Sequence, residues 1–171
     1  MNTCSRRAFG ARSFAVLGTV ALVSTATPAL AQDLENTLYL DLSYGRVVIQ
    51  LRPDKAPKTV ARIKELARQH FYDGTPFHRV ISDFMAQGGD PTGTGTGGSG
   101  KTLPAEFSDL KHERGTVSMA RSSDPNSADS QFFICFAPAP YLDGQYTAFG
   151  QVTEGMEFVD RIKKGDPSNN G

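Results

Sequence analysis

The sequence predicts a mainly β protein: an antiparallel barrel, closed or nearly closed, with helices over its ends. Three observations point there. Short stretches of period-two alternation recur between residues 37 and 152. Only two stretches space apolar residues three or four apart, one early and one late. Gly, Pro, Asp and Asn punctuate the gaps as turns do.

Thr37-Leu38-Tyr39-Leu40-Asp41-Leu42 alternates, turns at Ser43-Tyr44-Gly45-Arg46 and returns as Val47-Val48-Ile49-Gln50-Leu51, a hairpin with Gly at its permissive point. Pro57 suits a first helical turn, and Val60, Ile63, Leu66 and Ala67 give the helix one apolar face. A turn at 71–76 leads into strands over 77–81 and 84–87, joined by the polar corner Ser82-Asp83. Residues 115–120 read as a strand and 121–129 as a long polar loop. Residues 130–136 form the most apolar strand, with Gln131 at its mouth. Ala137-Pro138-Ala139-Pro140 breaks it, 141–145 turns, and 146–152 is the next strand. A second helix is expected over 155–164, with Met156, Phe158, Val159 and Ile162 as its buried stripe.

The first 31 residues read as a cleavable export signal rather than as part of the fold. Arg6, Arg7 and Arg12 form a basic start, a modest apolar stretch follows, and Pro28-Ala29-Leu30-Ala31 supplies the small residues of a cleavage site. The apolar run is broken by Gly18, Thr19, Ser24 and Thr25, too early for a spanning helix, so no stable membrane insertion is expected. Ser5-Arg6-Arg7-Ala8-Phe9 is similar to the core of a twin-arginine signal; an ordinary secretory signal with two adjacent arginines is the alternative. The expected location is periplasmic or secreted. Residues 32–171 suffice for one domain with a real core. The chain holds 18 Lys+Arg and 18 Asp+Glu, and cleavage removes three arginines and no acid, so the mature part is mildly acidic. That argues against nucleic acid or anionic lipid as a partner. Cys4 would leave with the signal, and Cys135 then reads as a lone, buried and inert thiol.

Two phosphate-loop patterns match the tract 91–102: Gly95 to Thr102 fits G-x-x-x-x-G-K-[ST], and Gly93-Thr94-Gly95-Thr96-Gly97-Gly98 fits G-x-G-x-x-G. Both work only between a buried strand and a helix N-terminus, and Leu103-Pro104-Ala105-Glu106-Phe107 reads as irregular. A flexible loop bordering a groove is the expected role. His70, His78 and His112 lack metal-ligand spacing, so no metal is expected and each is read as structural.

The oddest stretch is Phe77-His78-Arg79-Val80-Ile81-Ser82-Asp83-Phe84-Met85-Ala86-Gln87-Gly88-Gly89, where Arg79 and Gln87 interrupt strands that should bury their side chains. Such an Arg either meets a partner or ligand, because a buried unpaired charge costs several kcal/mol, or lays its stem on the sheet and reaches water. With Tyr72-Asp73-Gly74-Thr75-Pro76 before it, the stretch resembles the signature of the cyclophilins, peptidyl-prolyl cis-trans isomerases on an eight-stranded antiparallel barrel capped by two helices. The likeness continues through Ser118-Met119-Ala120, Ser130-Gln131-Phe132-Phe133-Ile134-Cys135, Tyr141-Leu142-Asp143-Gly144 and Phe149-Gly150, covering essentially all of 37–171.

The resemblance implies that Arg79 is the catalytic cation, with Phe84 and Gln87 also at the reacting bond and Gln87 bonding the substrate backbone. It implies a proline pocket of Phe84, Met85, Phe133 and Leu142, and a groove for the preceding residues lined by Ala120, Arg121 and Gln131. Tyr141 stands where many members carry Trp, Tyr146 where many carry His, and Arg121 where Asn is frequent; the Tyr141 change puts tight cyclosporin binding in doubt. The implied partners are proline-containing polypeptides, met as a monomer and without a cofactor. Family members also continue into one more strand after the segment resembling 163–171, so the barrel is expected to lack its final strand. A proline-peptide binding or chaperone module would use the same pocket.

Overall fold

The structure, a computed structural model, describes residues 33–166; the export signal expected at 1–31 and the tail 167–171 lie outside them. The hairpin forms as expected, β1 (Thr37–Leu42) pairing β2 (Gly45–Leu51), followed by α1 (Pro57–Arg68). Then come β3 (Arg79–Ile81), β4 (Met85–Gly88), β5 (Thr116–Met119), β6 (Phe132–Cys135), β7 (Ala148–Glu154) and α2 (Met156–Asp160). All pairings are antiparallel, in the order β1-β2-β7-β5-β6-β4-β3. The result is a curled half-barrel with two helices, the expected fold without its final strand. Among the described residues β1 and β3 remain the two edges. A cavity of about 610 Å³ opens on the inner side, with Leu38 and Leu40 of β1 at one border and Tyr72 and Phe77 at the other.

Strand alternation sorts the apolar side chains into two cores. Ala86 and Ile134 join Ile49, Val117 and Phe149 inside the barrel, where α1 adds Val60 and Ile63. Their neighbours Met85, Phe133 and Cys135 pack with Ala139 and Leu142 in a second, smaller cluster. One residue of register therefore separates barrel interior from outer face. The start of α1 has no capping side chain of its own. Glu106, 48 residues on, accepts the first-turn amides of Lys58 (3.0 Å) and Thr59 (2.8 Å) instead.

Several boundaries differ from expectation: the strands expected over 130–136 and 146–152 cover Phe132–Cys135 and Ala148–Glu154. The strand expected from Phe77 begins at Arg79. The second helix, expected over 155–164, covers only Met156–Asp160: Arg161 and Ile162 donate three residues back, to Phe158 and Val159, and the coil tightens into a turn. The apolar spacing survives that change, with Val159 and Ile162 buried, which is why periodicity overran the helix. Gly155 opens α2 in the left-handed region, φ +81°, where a Cβ would collide with the Arg46 carbonyl oxygen. Gly155→Ala should therefore lower stability by about 1–2 kcal/mol, read from denaturant midpoints. An unchanged midpoint would refute the tight approach.

Candidate active site

The register lines up one row of side chains across four strands. Arg79 of β3 lies opposite Gln87 of β4, Gln87 opposite Phe133 of β6, and Phe133 opposite Ser118 of β5. Directly opposed residues share a face, so the cation, the amide and the aromatic ring sit side by side. Nη1 of Arg79 donates to Oε1 of Gln87 at 3.3 Å. A small cavity of about 100 Å³ opens beside this row. Met85, Phe133 and Leu142 line it, with Phe84 and Ala120. Arg79, Gln87, Arg121 and Tyr146 supply its polar atoms. A second hollow of about 360 Å³ adjoins it, sharing Gln87, Ala120 and Arg121 and bounded by Gln131, Asp129 and the glycine-rich loop. The residues singled out in the sequence thus come together, with one exception of placement: Tyr141 lines neither hollow. It stands 61% exposed, its ring 5.9 Å from that of Phe84.

The pocket wall is braced from behind. The imidazole of His112 stacks under Phe133 with centroids 6.1 Å apart, and Tyr146 meets the same ring edge-on at 5.9 Å. Asp143 accepts from the backbone N–H (2.8 Å) and Nδ1 (3.0 Å) of His112, while the Ser118 hydroxyl lies 3.0 Å from Nε2. Ser118, His112 and Asp143 have the residue types of a hydrolytic triad, but Ser118 is 0% and His112 1% exposed. No substrate reaches that hydroxyl, so the trio is a brace for the ring. Arg121 lies over Tyr146, Cζ 4.5 Å from the centroid, with Nε and Nη2 donating to the Gln145 carbonyl. Burial pushes the Cys135 thiol up to about 12, which makes it an unreactive filler packed with Met85, Phe133 and Leu142.

The glycine-rich tract borders the second hollow as expected, but it is not slack. Asp90, fully buried, accepts the amides of Gly95 (2.7 Å) and Gly97 (3.0 Å). Asp129 accepts those of Ser99 and Gly100. The amides that would cradle a phosphate are thus occupied by carboxylates, and β-bridge Leu103, not a helix, follows. Among the described residues no group of three or more His, Cys, Asp or Glu could hold a metal.

Two of these carboxyls titrate low. Burial raises that of Asp90, but hydrogen bonds from Thr92, Gly97 and Gly95 outweigh it and hold the group well below the usual carboxylate range. The backbone and ring donors of His112 lower that of Asp143. A folded-state pKa below the unfolded one stabilises the fold above the ordinary value, and the contribution disappears as pH falls through the folded value. Tm should hold steady from neutral pH to about 5 and drop below about 4, where unfolded carboxyls take up protons. A Tm that stays level to pH 3 would contradict this.

A family model for "Cyclophilin type peptidyl-prolyl cis-trans isomerase/CLD" matches residues 37–171. A probable peptidyl-prolyl cis-trans isomerase of Brucella suis is 51% identical, over 97% of this chain and 89% of its own. The peptidyl-prolyl cis-trans isomerase of Helicobacter pylori is 43% identical, over 79% and 86%. A cyclophilin type peptidyl-prolyl cis-trans isomerase of Cryptosporidium parvum, crystallised in the presence of the dipeptide Ala-Pro, superposes with a TM-score of 0.70 at 36% identity, over 74% of this chain and 84% of that one. The fold and this likeness define an isomerase of prolyl peptide bonds. The chain belongs to the cyclophilin-type peptidyl-prolyl cis-trans isomerase family.

Proposed function

We propose that the protein accelerates rotation about X-Pro bonds in exported polypeptides as they fold, by a non-covalent mechanism centred on Arg79. The observation that carries the proposal is the placement of Arg79 and Gln87 in one row with Phe133, at the rim of a small apolar cavity. An X-Pro amide rotates slowly because its C–N bond has partial double-bond character, with a barrier of about 18–20 kcal/mol. In the twisted transition state the nitrogen becomes pyramidal and regains its lone pair. A guanidinium held beside that nitrogen favours the twisted form over both planar forms, which is what acceleration requires.

In this mechanism Phe84, Met85, Phe133 and Leu142 grip the pyrrolidine ring and keep water away, so the Arg79 donor acts where screening is weak. Gln87 bonds the substrate backbone next to the turning bond. Ala120, Arg121 and Gln131 border the adjoining hollow, where residues preceding proline would lie, and Tyr146 closes the wall. Exposed Tyr141 offers a flat aromatic edge to the chain beyond the pocket. The dipeptide in whose presence the Cryptosporidium relative was crystallised, Ala-Pro, contains a bond of this chemical kind.

A coupled-protease assay tests the function. The protein should raise the cis-to-trans rate of an Ala-Pro-Phe peptide in proportion to its concentration; a rate equal to the uncatalysed one would overturn it. The basic, then apolar, then small-residue order of residues 1–31 supports export. The exported product should begin at Gln32 by intact mass, whereas a full-length mass in the periplasmic fraction would exclude cleavage there.

A further inference from the structure

Gln87 and Gln131 form an amide relay whose direction is set by the groups at its two ends rather than by the amides themselves. Gln87 passes Nε2–H to Oε1 of Gln131 (2.9 Å), and Gln131 in turn donates Nε2 to the carbonyls of Gly95 (3.0 Å) and Gly97 (2.8 Å). A side-chain amide can be turned end for end at little cost unless its partners are one-way groups. The two loop carbonyls are one-way: they only accept. They oblige Gln131 to present its NH2 to the loop and therefore its oxygen to Gln87. The other end agrees: the guanidinium of Arg79 only donates, so Gln87 turns its oxygen to Arg79 and its NH2 to Gln131, and the relay is held from both ends. The second Nε2–H of Gln87, at the rim of the cavity, is left for a substrate carbonyl.

What holds the two loop carbonyls in place is Asp90. Its Oδ1 accepts the Thr92 amide (2.7 Å) and hydroxyl (2.8 Å), and its Oδ2 accepts Gly95 and Gly97. The same two glycines that offer their N–H groups to Asp90 offer their C=O groups to Gln131. Gly95 sits at φ +86°, and a Cβ on Gly97 would run into the Asp90 carboxylate, so the clasp depends on glycine at both positions. Only a group that accepts at both oxygens satisfies four donors. An Asn would set its NH2 against N–H groups on one side or the other.

We propose that Asp90, which lines neither hollow, is a positioning residue for isomerisation: by clasping Gly95 and Gly97 it anchors the loop end of the Gln131–Gln87 relay, whose other end meets Arg79, and so steadies the aim of Gln87 and Arg79. The inference rests on the isomerase function proposed above and adds to it a residue remote from the reacting bond.

A double-mutant cycle with kinetics and NMR tests it. Asp90→Asn should lower kcat about tenfold, as a small misplacement of reacting groups does, with KM little changed. Gln131→Ala should lower it similarly, and adding Asp90→Asn to Gln131→Ala should cost almost nothing more, because the relay is already cut. Losses that multiply would mean that Asp90 acts only on general stability and would overturn the proposal. In the wild type both Nε2 protons of Gln131 should be protected from solvent exchange and should lose that protection in Asp90→Asn. Free exchange in the wild type would overturn the relay whether or not the protein isomerises anything. Absence of wild-type turnover alongside protected amides would instead refute the isomerase function. If Asp90→Asn does not fold, Gly97→Ala, which presses on the clasp from the loop side, takes its place with the same expected and contrary results.

Discussion

Arg79→Ala is expected to lower kcat/KM by a factor on the order of 10²–10³, equivalent to about 3–4 kcal/mol of transition-state stabilisation, the cost of removing one preorganised donor. The fold should not notice. Arg79 is only half-buried, on a strand that forms one edge of the sheet, and such positions generally shift stability by about 0.5 kcal/mol or less. Arg79→Lys should recover part of the loss, since it restores charge without the planar fork that reaches both substrate and Gln87. The coupled-protease rate together with a thermal melt checks all of this. A variant that keeps wild-type turnover, or that loses turnover only because it melts, would remove Arg79 from the mechanism.

Ile134→Ala should do the reverse. Ile134 is 0% exposed on β6, opposite Ala86 on one side and Val117 on the other, in the middle of the barrel interior. Truncating it leaves a cavity that a paired central strand cannot collapse into, at a cost of about 2–5 kcal/mol. At roughly 2–4 °C per kcal/mol for a domain of this size, the midpoint should fall on the order of 10 °C. Activity measured well below the new midpoint should stay near wild type, because the neighbours Phe133 and Cys135 point to the opposite face. Both losses together would mean that the two faces of β6 are not mechanically separate.

These opposite expectations come from strand alternation, which made the strands legible in the chain. Period two puts Met85 and Gln87 on one face of their strand, and the alternation of 37–51 and the apolar run 130–136 mark strands without any tertiary information. That Phe133 joins Gln87 on that face depends on the β4–β6 register. The site itself was legible only through the resemblance of 72–89 and 118–150 to the cyclophilin signature. The second helix was overrun because Ile162 keeps helical spacing in a turn that is no longer helical. The loop at 91–100 was expected to be flexible because glycine promises freedom; its stiffness comes from two carboxylates, one of them Asp129 at some 30 residues' remove. Local sequence holds no record of such a pairing. The bracing of Phe133 by His112 was hidden for the same reason: Asp143 lies 31 residues beyond His112 and joins it only once the barrel has formed. A His followed six residues later by a strand Ser offered a faint signal, since β5 brings that hydroxyl to Nε2 of His112.

The most direct measurement is NMR exchange on a single Ala-Pro peptide mixed first with the wild type and then with Arg79→Ala. The account predicts that both proteins shift the peptide resonances with similar affinity, and that only the wild type gives cross-peaks between the cis and trans signals. Cross-peaks of equal strength from Arg79→Ala would contradict it: the pocket would then be turning the bond without its cation.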